Sequence, residues 1–369
     1  MVFKGAGERS AREIVEVIEA EGGQINAATG YERTSFQARA LKGGLDLGSA
    51  VLSDLVLRPT MDPGDLAREI QVVGQEIAEA ADTPDDLVFE MAQEAAFAGQ
   101  PLGRSILGSV ESIGTATPDG LSAWRATLYA QGRLVVSASG AVDEDELLTL
   151  AERDFGHLEG PAAPPPAPAT FTGGAKIAAK SLEQANLVFL LPTVSVRDDH
   201  YFALRLYAEI LGGGMASRLF QEAREKRGLA YAVDAYSETY ADTGVLGVFA
   251  GCAAKDAAEL ARVAAGEIQG MADQVGDAEL ARAKAQLKAS MFMAREMPLS
   301  RAEQAAAQVL LFDRTLAPAE LAAQIDAVSA AQVARLGQEM LASGRAAVSV
   351  LGPKAAAKAA DAFQRALFA

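Results

Sequence analysis

Apolar positions recur along most of the chain at helical spacing, broken by shorter alternating stretches. Near the start, Ser10-Ala-Arg-Glu13 forms a capping-box signature, and Ile14, Val17 and Ile18 follow at helical intervals until Gly22-Gly23 ends the pattern. Residues 24–41 read as two short strands around a turn near Gly30. A helix is expected over roughly 48–57. Asp62-Pro63 opens the next, with Asp as N-cap and Pro at the first helical position, and it runs to about Ala81. A further helix (85–97), a strand (134–139) and a helix (144–155) complete the first part.

The second part repeats the logic. A strand over 185–191 precedes a helix over 200–211, which Gly212-Gly213-Gly214 stops. A helix over 216–227 leads into an alternating hairpin, 231–240 and 245–252. Helices follow over 255–274, 278–295, 300–312 and 318–329, then a strand over 346–351 and a terminal helix. Between the two parts lies GPAAPPPAPAT, 160–170, whose prolines lack backbone donors and favour an extended, semi-rigid linker. The expected organisation is an N-terminal domain over 1–160, a linker over 161–169 and a C-terminal domain over 170–369. Each half mixes antiparallel strands with several helices, which predicts an α+β protein of two related domains, each a mainly antiparallel sheet flanked by helices.

Charge narrows the function. The 369 residues carry 33 Lys and Arg against 49 Asp and Glu, a net charge of −16. Nucleic-acid and anionic-membrane partners are therefore not expected, since both need clustered cations, whereas basic peptides are electrostatically favoured. The single cysteine, Cys252, excludes an intrachain disulfide and a multi-cysteine metal site. With only His157 and His200, a His-rich metal centre cannot be assembled from these residues alone. No run of apolar residues is long enough to span a membrane, and the first residues lack the apolar core of a secretion signal. A cytoplasmic location is expected, or a periplasmic one if a signal lies ahead of Met1.

Few side chains are candidates for chemistry. Glu69 and Glu76 lie seven residues apart on the helix after Pro63, so both carboxylates share one face beside Leu66, Ile70, Val72, Val73 and Ile77. Such a pair is either a solvated acidic face or a metal ligand with its support. Arg224 and Tyr231 are also seven apart, but Gly228 ends the helix between them. The Arg then lies on a last helical turn and the Tyr opens a strand, and together they can hold a carbonyl oxygen or an oxyanion. His157 and His200 read as capping or surface residues. Ser217 lacks the spaced His and Asp of a triad, and Cys252 reads as buried and inert.

The segment GGGMASRLFQEAREKRGLAY, 212–231, resembles the second-domain signature of the pitrilysin-type, or mitochondrial-processing-peptidase-like, zinc peptidases, above all their bacterial two-domain members. Segments 1–14, 21–34, 67–86 and 280–306 resemble family segments in the family's order. The resemblance implies an inverted zincin, whose His-X-X-Glu-His helix supplies two zinc ligands and a catalytic Glu. Its third ligand is a Glu on another helix, and the family's spacing places that ligand at Glu76, with Glu69 as the supporting acid. It further implies that Gln24 to Thr29 is an edge strand for the substrate backbone, Asn26 and Ala27 included, and that Arg224 and Tyr231 bind the scissile region. Peptide substrates and a homodimer or heterodimer with a related subunit are the implied partners, and in two-domain members the Arg and Tyr reach the zinc of the other subunit.

The His-X-X-Glu-His motif is absent from these residues. One of three ligands leaves no usable zinc site, so this chain by itself is expected to be inactive. The leading expectation is a zinc endopeptidase whose motif precedes Met1, through a truncated product or a late assigned start. The alternative is a non-catalytic subunit that binds peptide and completes a partner's site. A respiratory-complex core subunit would have no use for Arg224 and Tyr231.

Overall fold

The computed structural model describes residues 1–130, 132–158 and 166–369. In chain order the first elements are β1 (Gly5–Ala6), β2 (Arg9–Ser10), α1 (Ala11–Ala20), β3 (Gln24–Thr29), β4 (Thr34–Arg39), α2 (Leu45–Leu57), α3 (Pro63–Asp82) and α4 (Pro84–Ala96). Next come α5 (Val110–Ile113), α6 (Pro118–Leu128), α7 (Glu144–Phe155), β5 (Gly174–Ala179), β6 (Ala185–Thr193) and α8 (Tyr201–Gly212). A π-helix (Phe220–Lys226) precedes β7 (Ala230–Thr239), β8 (Gly244–Cys252), α9 (Ala257–Asp273), α10 (Asp277–Ala294) and α11 (Pro298–Phe312). The chain closes with α12 (Pro318–Ala327), α13 (Ala330–Ala342), β9 (Ala347–Gly352) and α14 (Lys358–Leu367). These elements make an α+β protein, and none of the described helices is long and apolar enough to cross a membrane.

Two compact units form, each from several stretches. The first takes Met1–Ala78, Ile106–Pro166 and Met293–Leu316; the second takes Glu79–Ser105, Ala167–Phe292 and Ala317–Ala369. Of the expected linker, 161–165 lie outside the described residues.

In the first unit the Ser10 capping box forms as expected: Ser10 accepts from the Glu13 N–H, while Glu13 reaches back to the Ser10 N–H at 2.8 Å. Ile14 and Ile18 on α1 then bury against Val51 and Leu55 on α2 and Ala6. Asp54, 2% exposed, sits between the guanidinium groups of Arg9 and Arg58 and joins α2 to β2. The hairpin β3–β4 pairs in continuous antiparallel register from Gln24–Arg39 to Thr29–Thr34. Residues 134–139 do not form the expected strand. Their alternation fits a strand, but a strand also needs a hydrogen-bonding neighbour, and no described strand runs beside them.

The second unit holds a five-stranded sheet in the order β5-β9-β6-β8-β7, antiparallel except for the parallel pair β5–β9. The run Ala185–Leu191 is buried on both faces, which explains its unbroken apolar character. One face packs Leu187, Phe189, Leu191, Val248 and Val350 against α8, α9 and α14. There Phe189 stacks on Phe363 with ring centroids 4.0 Å apart. The opposite face carries α4, which the Ser349 hydroxyl anchors by donating to the Val88 carbonyl at 2.7 Å. Gly212 does more than stop a helix: a Cβ there would sit 2.2 Å from the Ala235 nitrogen, so only glycine lets α8 approach β7 this closely.

Candidate functional site

Asp62 caps α3 by accepting from the Asp65 N–H at 2.9 Å, so the helix begins where Asp-Pro predicts. Glu69 and Glu76 stand two turns apart on it, a rise of about 10 Å. Their surroundings differ. Lys4 holds Glu69 at 2.8 Å, with the Met1 amine at 3.7 Å, and its side chain is 21% exposed. Glu76 is exposed and has neither an ion pair nor a hydrogen bond among the described residues.

A zinc ion takes four donors at about 2.0–2.3 Å. Two carboxylates two turns apart, one of them held by Lys4, cannot converge to that distance. Among the described residues no group of three or more His, Cys, Asp or Glu is placed to hold a metal. The residues present therefore do not fit a zinc site by themselves. Glu76 remains as one exposed carboxylate without a partner among the described residues.

Asn26 and Ala27 lie on β3, which pairs only with β4 among the described strands, so its other edge offers unpaired backbone groups. The Asn26 side chain accepts from the Ala27 N–H at 2.9 Å. The amide of Ala27 is thus already engaged.

Arg224 and Tyr231 belong to the second unit. The helix that carries Arg224 starts at Arg218 rather than Ala216, and over Phe220–Lys226 it is a π-helix. π-Helical turns are wide and are enriched at functional sites. Arg224 lies over the Phe220 ring, 4.9 Å from its centroid, and is exposed. Its neighbours Lys226 and Arg227 are both bonded to Glu222, whereas Arg224 has no carboxylate partner among the described residues. Gly228 closes the helix at φ +62°, a left-handed conformation suited to glycine. Tyr231 is the extra residue of a β-bulge: Ala230 pairs with Cys252 and Ala232 with Gly251, leaving Tyr231 unopposed and 61% exposed. Such bulges re-aim a side chain. A guanidinium without a counterion and an outward phenol on consecutive elements can both donate to an oxygen of a ligand.

The remaining candidates are structural. His157 is exposed on the turn after α7, and the His200 ring lies 3.0 Å from Asp198 just before α8. Cys252 is fully buried, and desolvation pushes its thiol up to about 12, so it is not a nucleophile. The Ser217 hydroxyl is buried with no hydrogen-bond partner. Beside it, a feature that sequence reasoning missed, Arg218 grips Glu279 through two bonds of 2.9 and 2.8 Å. The residues are 61 apart, and nothing local signals the pairing.

The described residues thus form an α+β fold of two units, with an exposed, unpaired helical Glu in one and an unpaired Arg with an exposed Tyr in the other. The family models give the class, the zinc-peptidase-like proteins: residues 1–110 match "Insulinase (Peptidase family M16)" and residues 115–287 match "Peptidase M16 inactive domain". The chain is 35% identical over 354 residues to an uncharacterized zinc protease of Rickettsia bellii, covering 96% of this chain and 86% of that protein. An uncharacterized zinc protease of Streptomyces coelicolor is 32% identical over 363 residues, covering 96% and 79%. This chain belongs to the insulinase family, peptidase family M16. Solved structures carry the same fold. A peptidase M16 inactive domain from Pseudomonas fluorescens superposes with a TM-score of 0.88 at 20% identity, covering 96% of this chain and 87% of that one. A protease from Helicobacter pylori gives 0.85 at 18%, covering 95% and 87%. A chain of complex III from Candida albicans gives 0.84 at 20%, covering 96% and 88%.

Proposed function

We propose that this chain is part of a zinc-dependent endopeptidase of the processing-peptidase-like type, acting on peptides or unfolded segments, with Glu76 as one zinc ligand. The observation that carries the reading is the contrast on α3. Glu69 is held by Lys4, while Glu76 stands exposed and unpartnered two turns away. The zinc proteases named among the relatives support the metal.

When bound, zinc would act as the Lewis acid of the hydrolysis. The chain's own residues bind and orient the peptide. The free edge of β3 pairs with an extended backbone once the Asn26 side chain releases the Ala27 N–H to it. Arg224 and Tyr231 donate hydrogen bonds to a carbonyl oxygen of the substrate and strengthen them as charge develops there. Glu69 fixes the start of the chain through Lys4 and so supports the helix that presents Glu76.

A second reading is favoured by the lack of any three-donor metal group among the described residues. In it the chain is a non-catalytic subunit that binds peptide and completes a related partner's site, as a homodimer or heterodimer. One experiment separates them. The 369-residue chain is assayed for chelator-sensitive cleavage of an internally quenched peptide, alone and after a His-X-X-Glu-His segment is joined ahead of Met1. The leading reading expects no cleavage alone and cleavage after joining. Cleavage by the chain alone would overturn the missing-donor argument, and silence of both forms despite peptide binding would favour the second reading.

A further inference from the structure

The five-stranded sheet of the second unit has two edges, and they are built differently. At β7 the bulge at Tyr231 shifts the register, and Asp234 and Glu238 stand along the strand. Bulges and charges of this kind blunt an edge against further pairing. β5 carries neither device. Its six residues pair with β9 in unbroken register from Gly174–Ala347 to Ala179–Gly352, and among the described strands they have no other neighbour. Part of the backbone N–H and C=O groups of β5 therefore face outward without a strand partner. Its one charged residue, Lys176, is tied to Glu94 of α4 by an ion pair. Gly174, Ala175, Ile177 and Ala179 are exposed, Ile177 at 50%.

The charge around this edge departs from that of the molecule. Residues 174–180 and 354–367 carry five cations, Lys176, Lys180, Lys354, Lys358 and Arg365, against one acid, Asp361, in a chain of net charge −16. The fold draws the two stretches together. The Lys180 N–H donates to the Gly352 carbonyl at 3.0 Å, and the 3-10 turn Lys354–Ala357 packs on β5 and β9. Register sets Ile177 beside Val350, on the face of the sheet that α14 covers. Lys354, Lys358 and Arg365 are exposed, and none has an ion pair or hydrogen bond among the described residues.

An open strand edge is completed by another strand, whose backbone pairs with the outward groups. A nucleic acid or a lipid headgroup would meet the lysines and leave that edge unpaired. A second copy pairing through its own β5 would bring two sets of cations together, which like-charge repulsion opposes. An acidic strand satisfies both features. Alternate residues share a face, so an apolar residue beside Ile177 places its neighbours two positions away on the side of the lysines. We propose that the outer edge of β5, with Ile177, Lys354 and Lys358, docks an extended acidic segment of a partner protein by strand addition. The contact spans about six residues, roughly 20 Å. It uses the edge opposite β7 and none of the residues assigned to the peptide substrate.

The test uses the full chain and three fluorescein-labelled peptides with Gly-Ser ends. One has a Glu-Thr-Val-Thr-Glu core, one the same core with every amide N-methylated, and one a Lys-Thr-Val-Thr-Lys core. Fluorescence anisotropy gives the affinities in about 0.15 M salt, which screens charges beyond about 8 Å so that the local cations decide. Amide hydrogen exchange locates the contact. The Glu peptide is expected to bind at least about tenfold tighter than either of the others and to slow exchange over 174–180. Lys354→Glu/Lys358→Glu is expected to remove its advantage over the Lys peptide. Arg33→Glu/Lys42→Glu, the same charge change at exposed positions of the first unit, is expected to keep it. Equal binding of the Glu and Lys peptides, or equal loss in both variants, overturns the proposal. Equal binding of the N-methylated peptide would mean that carboxylates sit on the lysines without a strand, and overturns it too. So does absence of binding, or of slowing over 174–180. Slowing there that grows with protein concentration without peptide assigns the edge to a second copy and likewise overturns it.

Discussion

Replacing Arg224 with alanine separates function from structure, because the side chain has so little to hold in the fold. It is exposed, lacks a carboxylate partner among the described residues and touches the Phe220 ring at 4.9 Å. An exposed cation–π contact contributes roughly 0.5–1 kcal/mol. A hydrogen bond from a charged donor to a substrate carbonyl contributes about 1.5–3 kcal/mol, which converts to roughly ten- to 150-fold in kcat/KM. Arg224→Ala should therefore lower kcat/KM by that factor in the zinc-loaded, cleaving assembly while shifting the thermal midpoint by only a few degrees. Arg224→Lys should fall between, since lysine keeps the charge and loses the fork. The assay is cleavage of an internally quenched peptide beside thermal denaturation of the same samples. Unchanged kcat/KM in Arg224→Ala, or activity and stability lost in parallel, would refute the reasoning.

Three further outcomes follow from geometry. Asp54→Ala strands the guanidinium groups of Arg9 and Arg58; a broken buried pair costs about 3–5 kcal/mol, and the 65% exposure of Arg58 places the loss at the lower end, read as a lower urea midpoint. An effect below about 1 kcal/mol would mean that the triad is only a surface contact. Cys252, its thiol pushed up to about 12, should stay unreactive toward a thiol-specific dye at pH 8 in the native state and react fully in denaturant; rapid native labelling would contradict its burial. Glu279 has a lowered pKa, chiefly through the Arg218 bond, so its stabilisation is complete above the unfolded value near 4.5 and is lost as pH falls through the lower folded value. Glu279→Gln should thus lower the urea midpoint at pH 7 and flatten the acid loss below about pH 4.5, and an unaltered acid limb would count against the pairing.

Local chemistry was the legible part of the sequence. The Ser10–Glu13 box, the Asp62-Pro63 start and the β7–β8 hairpin all depend on neighbours in sequence, and all form where expected. The misses depend on distant partners. Gly174–Ala179 carries a weak strand signal and becomes β5 only by pairing in parallel with β9. Residues 134–139 carry a good signal and stay outside the sheets for want of a neighbour. At the site, seven-residue spacing alone puts Glu69 and Glu76 on one face; the family resemblance gave them different roles, and the approach of Lys4 to Glu69 is a contact that the spacing does not signal. The bulge at Tyr231 and the π-turns around Arg224 re-aim both side chains, but neither departs from ordinary strand or helix patterning in the letters.

The central claim is that Glu76 ligates zinc and Glu69 does not. It is tested most directly by metal analysis of the assembly that carries the His-X-X-Glu-His segment, comparing Glu76→Ala and Glu69→Gln with the unaltered protein after exhaustive dialysis. The account predicts that Glu76→Ala loses most of its zinc while Glu69→Gln retains it more loosely. Full zinc occupancy in Glu76→Ala, with the fold intact by circular dichroism, would contradict it.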